Sequence, residues 1–402
     1  MSATYAESDI TGTSADPNHP LHKLTREQLD EIGREFQAIH DEVYADLGER
    51  DAEYIRGLVR FHRRLAALSR VALLGSKSTP ALIGGTIGLS IAKIIENMEL
   101  GHNILHGQWD WMNDPHIHSS SWEWDSASPS SSWKHSHNYM HHTYTNVIGK
   151  DHDVGYEIMR VDERQPWKPA YLGQPLYNLI LAALFEWGVA FHDLDMEAIK
   201  KGTKSKDQLK AELKEIGRKA RNQIVKDYIA FPLLSGRAWK RTLLANATAN
   251  VARNVWAYAI IFCGHFPDQA YTFTEEEAAD ESLGAWYVRQ LIGSANIDGG
   301  DLFHLMSGNL SFQVEHHLFP DMPSSRYKEI APRVKEICAK YELPYNTGPF
   351  RKQFGSVQRA ILRLAFPGGG PTPKPGPFRA GPKDRRRTVD ANPLREPFPA
   401  AT

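Results

Sequence analysis

Histidine is the residue through which this chain can do chemistry. Among 402 residues there are 18 histidines, and nine of them lie between His102 and His152. Three short groups have telling spacings. His102 and His106, in Gly-His-Asn-Ile-Leu-His, are four apart, so on a helix both imidazoles share one face. His137 and His141 repeat that spacing, and His142 adds a third ring beside them. Gln313, His316 and His317 stand at i, i+3 and i+4 of a third helical face. Burying several unpaired polar rings is costly, and a shared metal site removes the cost. Imidazole suits zinc, copper, nickel and iron. Seven histidines exceed what one tetrahedral zinc uses, and the number fits two metal ions with several imidazoles each. No H-E-x-x-H is present, which speaks against a zinc protease. Glu99-Leu-Gly-His102 matches the E-x-x-H of carboxylate di-iron bundles, but only once. Glu99, Asp151 and Asp153 are therefore read as acceptors for the N–H groups of ligating imidazoles.

The elements that must position these groups are helices. Thr25 opens a capping-box pattern with Gln28, and Leu29, Ile32, Phe36 and Ile39 follow at helical spacing, which predicts an amphipathic helix to about Leu47. A more basic one is expected through Tyr54, Leu58, Phe61 and Leu65. Four apolar regions follow, at 78–92, 169–191, 242–267 and 302–314. None has the 18 or more uncharged residues that identify a spanning helix by hydropathy alone. With a mean hydropathy of −0.46, both a soluble helical core and a membrane anchor stay open at this point. Residues 200–226 carry ten lysines and arginines against three acidic residues, with an apolar stripe from Leu209 to Ile224. In a membrane protein that bias puts the segment in the cytoplasm, where it can also serve as a docking surface. The polar residues 1–23 contain no run resembling a secretory signal and are expected to be a disordered lead. Residues 367–402, with nine prolines, five glycines and Arg385-Arg386-Arg387, are expected to be a disordered tail. A net charge of −1 speaks against a nucleic-acid partner.

The three boxes, HNILH, HNYMHH and QVEHH running on into LFPDMP, resemble those of the membrane fatty-acid desaturases. The resemblance extends over about residues 70–350. The stretches KIIENMELGHNILHGQWDWMNDP and FCGHFPD are similar to actinobacterial acyl-CoA desaturases acting at the Δ9 position, while the QxxHH form of the last box also resembles the linoleoyl-type and front-end branch. The resemblance implies an all-α integral membrane bundle with a cytoplasmic helical cap, in the cell membrane with its site on the cytoplasmic side. It divides residues 24–366, the desaturase domain, into amphipathic helices (24–70) and a membrane and catalytic part (71–350). It also implies a di-iron centre held by His102, His106, His137, His141, His142, His316 and His317, with O2 as co-substrate and a long-chain acyl-CoA, stearoyl or palmitoyl, as substrate. Such centres usually take one further histidine; His265 is the candidate, and His304 lies outside the usual pattern. Gln313, where other branches have histidine, is expected to act through water or beside a ligand. His116, His118, His135 and His152 are expected near the site or at the surface.

Removing two hydrogens from unactivated methylenes lies beyond any side chain, so a redox metal and O2 must supply the oxidising power. Two electrons must also arrive. Two cysteines cannot hold an iron–sulfur cluster, and there is neither a convincing G-x-G-x-x-G fingerprint nor a His-Pro-Gly-Gly haem signature. A separate NADPH-linked reductase is therefore expected. Trp109, Trp111, Trp122, Trp124 and Trp133, all between the first two boxes, can line an acyl tunnel, sit at the membrane interface or pack the site. Two alternatives stay open: a hydroxylase on the same scaffold, and a metal-binding or transport protein without redox turnover.

Overall fold

The computed structural model describes residues 19–195, 198–199, 202–368, 370 and 372–381. Residues 1–18 of the polar lead, Lys200 and Lys201 of the basic segment, and 382–402 with the arginine run lie outside the described residues.

The chain is mainly helical. Helix α1 (Arg26–Asp46) starts at the expected capping box: Thr25 Oγ1 accepts from the Gln28 N–H at 3.2 Å, and Gln28 Oε1 accepts from the Thr25 N–H at 2.9 Å. Its apolar stripe, Leu29, Ile32, Phe36 and Ile39, is buried, each side chain contributing roughly 1.5–3 kcal/mol. Helix α2 (Glu49–Leu74) extends further than Leu65 because it packs along α3 (Thr79–Ile95). Helix α3 continues without a break through a π-helical stretch, Glu96–His102, and a last turn, Asn103–Leu105. The run Thr79–Leu105 is the one helix among the described residues long and apolar enough to cross a membrane. Helix α4 (Ser130–Trp133) likewise runs on into a π-helical stretch, Lys134–His141, and the turn His142–Tyr144.

Next come α5 (Gln174–Ala183), α6 (Phe185–His192), α7 (Lys206–Ile224) and the long α8 (Trp239–His265). Helix α8 packs against α3, α5 and α6, and a buried ion pair between Glu186 and Arg253 joins α6 to α8. Losing one partner of such a pair strands the other charge and costs about 3–5 kcal/mol. The remaining helices are α9 (Leu283–Ile292), α10 (Asp301–Met306), α11 (Gln313–Leu318), α12 (Tyr327–Lys340) and α13 (Phe350–Leu364). Helices α1, α9, α11 and α12 share one apolar core. There, Gly284 lets α9 approach the α1 backbone so closely that an added Cβ would lie 1.8 Å from Leu29 O.

Two features depart from expectation. The fold is not purely helical: β1 (Asn296–Asp298) pairs in parallel with β2 (Thr347–Pro349). Three-residue strands carry too little alternation to be seen in sequence, yet this ladder places Asn296, whose side chain accepts from Val314 N at 2.8 Å and donates to Glu315 Oε2 at 2.8 Å, so that it pins the start of α11. The ends also begin to be ordered inside the segments expected to be disordered. Pro20–Lys23 forms a 3₁₀ turn, and residues 372–381 lie along the body. Lys374 Nζ donates to Ala270 O at 2.6 Å and the Phe378 N–H to Leu343 O at 2.8 Å. A proline-rich strand cannot build a ladder of its own, but it can lend isolated donors and an aromatic ring to a neighbour.

Helix α1 is tied to the loop after α11 by His40 and Tyr44, whose Nε2 and Oη lie 3.2 and 2.9 Å from Asp321 Oδ2. The hydrogen bond to Asp321 raises the His40 pKa above its ordinary value, outweighing desolvation. Burial would raise Asp321, but the His40 and Tyr44 hydrogen bonds hold it below the usual carboxylate range. The His40 contribution to stability is therefore complete below about pH 6.5 and disappears as pH rises through the elevated folded value. The carboxylate's own contribution fades only under much more acidic conditions. We expect the melting temperature of the purified protein to exceed that of Asp321→Asn at pH 6 and the gap to narrow by pH 9; a gap independent of pH would rule out a charged His40.

Candidate metal centre

The three boxes and the end of α8 meet in one place. The last turns of α3 carry His102 and His106, α4 carries His137, His141 and His142, α8 ends on His265, and α11 carries Gln313, His316 and His317. Six of the eight histidines are buried, and His106 and His137 are half-buried.

Their ligand atoms divide into two sets. His102, His106, His137 and His316 form the first; His141, His265 and His317 form the second, the atoms of each set lying within 4.8 Å of one another. An ion with bonds of about 2.1 Å keeps its ligands within about 4.2 Å, so each set is almost closed around one ion. His142 lies between them, its ring 4.6 Å from His106, 4.9 Å from His316 and stacked at 4.5 Å on His317. The π winding of α4 contributes to this. A fifth residue per turn brings His142 as well as His141 onto the face of His137, both ring centroids standing 5.0 Å away.

Hydrogen bonds at Nδ1 fix which nitrogen is free. His141 Nδ1 donates to Asp151 Oδ2 (2.9 Å), His102 Nδ1 to Asn103 Oδ1 (2.9 Å), and His137 Nδ1 to Asp153 Oδ2 (3.4 Å). His316 Nδ1 donates to Tyr327 Oη (3.1 Å) and His317 Nδ1 to Gln290 Oε1 (3.1 Å). The Tyr327 hydroxyl can accept because its own proton goes to Phe319 O at 3.2 Å. Nε2 of His106, His137, His141 and His316, both nitrogens of His142, and Nδ1 of His265 are buried without a hydrogen-bond partner. Buried lone pairs aimed at one another are unfavourable in protein alone and are what metal ions require. Burial, then neighbouring imidazoles, hold His142, His316 and His317 well below the ordinary histidine pKa. They are neutral at pH 7, as ligation demands. At His141 burial alone would act the same way, but the Asp151 carboxylate outweighs it and the value rises. The donor set is thus nearly all imidazole and can hold transition-metal ions.

Other expected residues fall in and out of place. Asp151 and Asp153 contact rings of the cluster, and Gln313 Nε2 lies 3.0 Å from His265 Nε2. Glu99 does not accept from an imidazole. Its carboxylate receives Tyr54 Oη (2.8 Å), Ser324 Oγ (2.6 Å) and Asn309 Nδ2 (3.0 Å), because the turn of α3 directs it toward α2 and the loop after α11. There it fastens elements around the site. His304 pairs with Ser311 Oγ at 2.7 Å, away from both sets. His116, His118 and His135 are exposed or half-exposed, and His152 faces Glu157. Sequence spacing missed Tyr327, Gln290 and His192, the last donating from Nε2 to Asp153 Oδ1 at 2.9 Å. They come from other elements and have no motif of their own.

Beside His102 and His137 a small cavity of about 50 Å³ lies between α6 and α8, with Trp133, Tyr156, Phe185, Val189, Ala257 and Ile261 on its apolar side and Asp153, Glu186, His192 and Asp193 on the other. The apolar side can take a short stretch of an alkyl chain.

Comparison with known proteins agrees with this geometry. A family profile described as "Fatty acid desaturase" matches residues 78–349. The chain is 48% identical over 348 residues to an NADPH-dependent stearoyl-CoA 9-desaturase of Mycobacterium tuberculosis, covering 86% of this chain and 82% of that one. It is 24% identical over 280 residues to an sn-1 linoleoyl-lipid 6-desaturase of Synechocystis (67% and 76% covered). It is 27% identical over 247 residues to a fatty acid desaturase 2-like protein of Mus musculus (59% and 46% covered). No solved structure matches the chain significantly. A profile spanning most of the chain and a relative aligned over most of both lengths lead to one conclusion: this protein belongs to the fatty acid desaturase family.

Proposed function

We propose that this protein is an acyl-CoA desaturase that places a cis double bond at the Δ9 position of a stearoyl or palmitoyl chain. The observation that carries the reading is the pair of facing imidazole sets with their buried, unpartnered nitrogens. The stearoyl-CoA 9-desaturase among its relatives supports the regiochemistry and the head group.

Two iron ions would fit the donor set: His102, His106, His137 and His316 would hold one and His141, His265 and His317 the other, with His142 beside both sets. Iron with O2 supplies the oxidising power that an unactivated C–H bond requires. The chain's own work is orientation. Asp151, Asp153, Asn103, Tyr327 and Gln290 fix the imidazole tautomers, and Gln313 lies beside His265. The apolar side of the cavity beside His102 and His137 would seat the part of the alkyl chain nearest the metal ions. Electrons come from a separate NADPH-linked reductase, a reading supported by the name of the mycobacterial relative.

The protein is read as integral to the cell membrane, its site on the cytoplasmic side. Beside the Thr79–Leu105 helix, a belt of exposed apolar side chains supports this: Leu68 and Val71 on α2, Ile83 and Ile87 on α3, Leu176 and Leu179 on α5, and Leu244 and Val251 on α8. Large apolar side chains exposed on four helices fit contact with a lipid phase. Each of these helices can share the apolar phase even though hydropathy singles out only one.

Coexpression with a reductase in a host lacking its own Δ9 desaturase is expected to produce Δ9-unsaturated lipids, located by mass spectrometry of derivatised acyl chains. His141→Ala and His316→Ala, one in each set, are expected to lower that yield at least a hundredfold. Hydroxylated instead of unsaturated products would refute the desaturase reading. A second expectation concerns the metal itself. Purified protein should carry about two iron atoms per chain by elemental analysis, and Asp151→Asn, which loosens the hold on His141, should bind its second ion roughly 10–100-fold more weakly in chelator competition. Zinc in place of iron, with no consumption of O2 on reduction, would favour a binding protein without redox turnover.

A further inference from the structure

The electron donor must meet the protein somewhere, and helix α7 has no assigned role. Its inner face is anchored: Ile216 is buried among Ala127, Ala190 and Leu194, and Gln223 Nε2 donates to Glu186 Oε1 at 2.9 Å. Its outer face is a basic row. Lys206, Lys210, Lys214 and Arg218 are spaced four apart and exposed, with Arg221 next in line. Lys210 and Arg218 face Asp207 and Glu215 at 3.5 and 3.3 Å, while Lys206, Lys214 and Arg221 have no acidic partner among the described residues. Beyond Ile224 the exposed residues turn apolar, with Ile229, Leu233 and Leu234. The basic row is thus followed along the chain by exposed apolar side chains.

Directly beneath α7 begins a column of aromatic rings. Lys219, buried on the inner face, pairs with Glu123 and donates to Trp124 O at 3.0 Å. The indole of Trp124 lies 5.1 Å from that of Trp133. Trp133 in turn stacks on His137 at 4.5 Å and lies 5.4 Å from both His102 and His106. Trp124 also packs on the backbone next to His102, where Gly101 leaves space: a Cβ there would lie 3.0 Å from the indole. Both indoles are buried, so the column is continuous matter from the underside of α7 to three rings of the first imidazole set.

We propose that the basic face of α7 is the docking surface for an acidic one-electron carrier domain of the reductase, and that Trp124 and Trp133 form the packed path from that surface to His137. The proposal rests on the reading that a separate reductase supplies the electrons. Charge complementarity selects an acidic partner and accelerates its encounter. The path selects a redox partner over a lipid headgroup, which needs no route inward. Electrons tunnel farther through packed atoms than across gaps, and the indoles serve as a medium without being oxidised. Each carrier visit oxidises the carrier by one electron and reduces the metal centre by one. Over a turnover two such electrons, two electrons and two protons from the acyl chain, and two protons from solvent convert O2 to two waters.

Two measurements test it, both on the full-length, iron-loaded protein in neutral-lipid nanodiscs with the reductase that supports double-bond formation in coexpression. The first is affinity. Lys206→Glu/Lys214→Glu/Arg221→Glu should raise the reductase Kd at least tenfold at 50 mM salt, with the difference gone by about 0.5 M. Unchanged affinity overturns the docking surface, as does a variant that loses only its retention on phosphatidylglycerol vesicles. The second is the anaerobic rate at which the reductase reduces the centre, followed spectroscopically and taken per iron-loaded site. Trp124→Leu should keep the wild-type Kd yet slow this rate at least tenfold, and Trp124→Phe, which keeps a ring in the gap, should recover most of it. Equal rates in all three proteins overturn the path. If the unaltered protein is reduced by dithionite but by no reductase, the underlying reading of the electron source fails instead.

Discussion

Eight imidazoles have to be neutral, buried and aimed at one another, and most of the architecture answers that requirement. A neutral ring has one donor and one acceptor nitrogen, and only the acceptor can hold a metal. The protein must therefore supply an acceptor behind each ring. Asp151, Asp153, Asn103, Gln290 and Tyr327 meet it for five rings and come from four separate parts of the chain. Each of these has to be held in turn. Tyr327 takes its position from Gln108 and Phe319, and Gln290 also donates to the His142 carbonyl at 2.9 Å. Because the lone pairs oppose one another, protein alone stabilises this arrangement poorly, and the surrounding helices must hold it in place.

That holding is done by buried polar ties as well as apolar packing. Glu99 gathers α2, the chain near Asn309 and the loop after α11 into one hydrogen-bonded knot. Arg326 binds Asp51 through two bonds of 2.7 and 2.8 Å, and Arg289 reaches the Thr143 carbonyl at 2.8 Å. Asn296 sets the start of α11. Such groups are strongly directional, so they specify where a helix end lies in a way that an apolar contact does not.

The histidine clusters were legible in the sequence because i, i+4 spacing is a local property. His102, His106, His137, His141, His316 and His317 could be read from spacing, whereas His265 needed a resemblance because it stands alone in its helix. What acts at a distance was hidden. Glu99 sits three residues before a ligand, yet its side chain turns elsewhere, and His192 reaches Asp153 from 39 positions away. The exposed apolar side chains were obscured for another reason: average hydropathy counts polar inner faces along with apolar outer ones. Composition also overstated disorder at 372–381, where the stabilising contacts belong to the body and not to the segment itself.

The π-helical stretch Glu96–His102 has a consequence for how this helix can vary. The helix serves two masters, an apolar register upstream and a ligand register at His102 and His106, and at 3.6 residues per turn the two need not fall on compatible faces. A π turn absorbs one extra residue without interrupting the helix. It works as a phase shifter, decoupling the angular setting of the imidazoles from that of the apolar outer side. Substitutions upstream can thus retune the outer face while the imidazoles keep their bearing, provided the wide turn between them is retained.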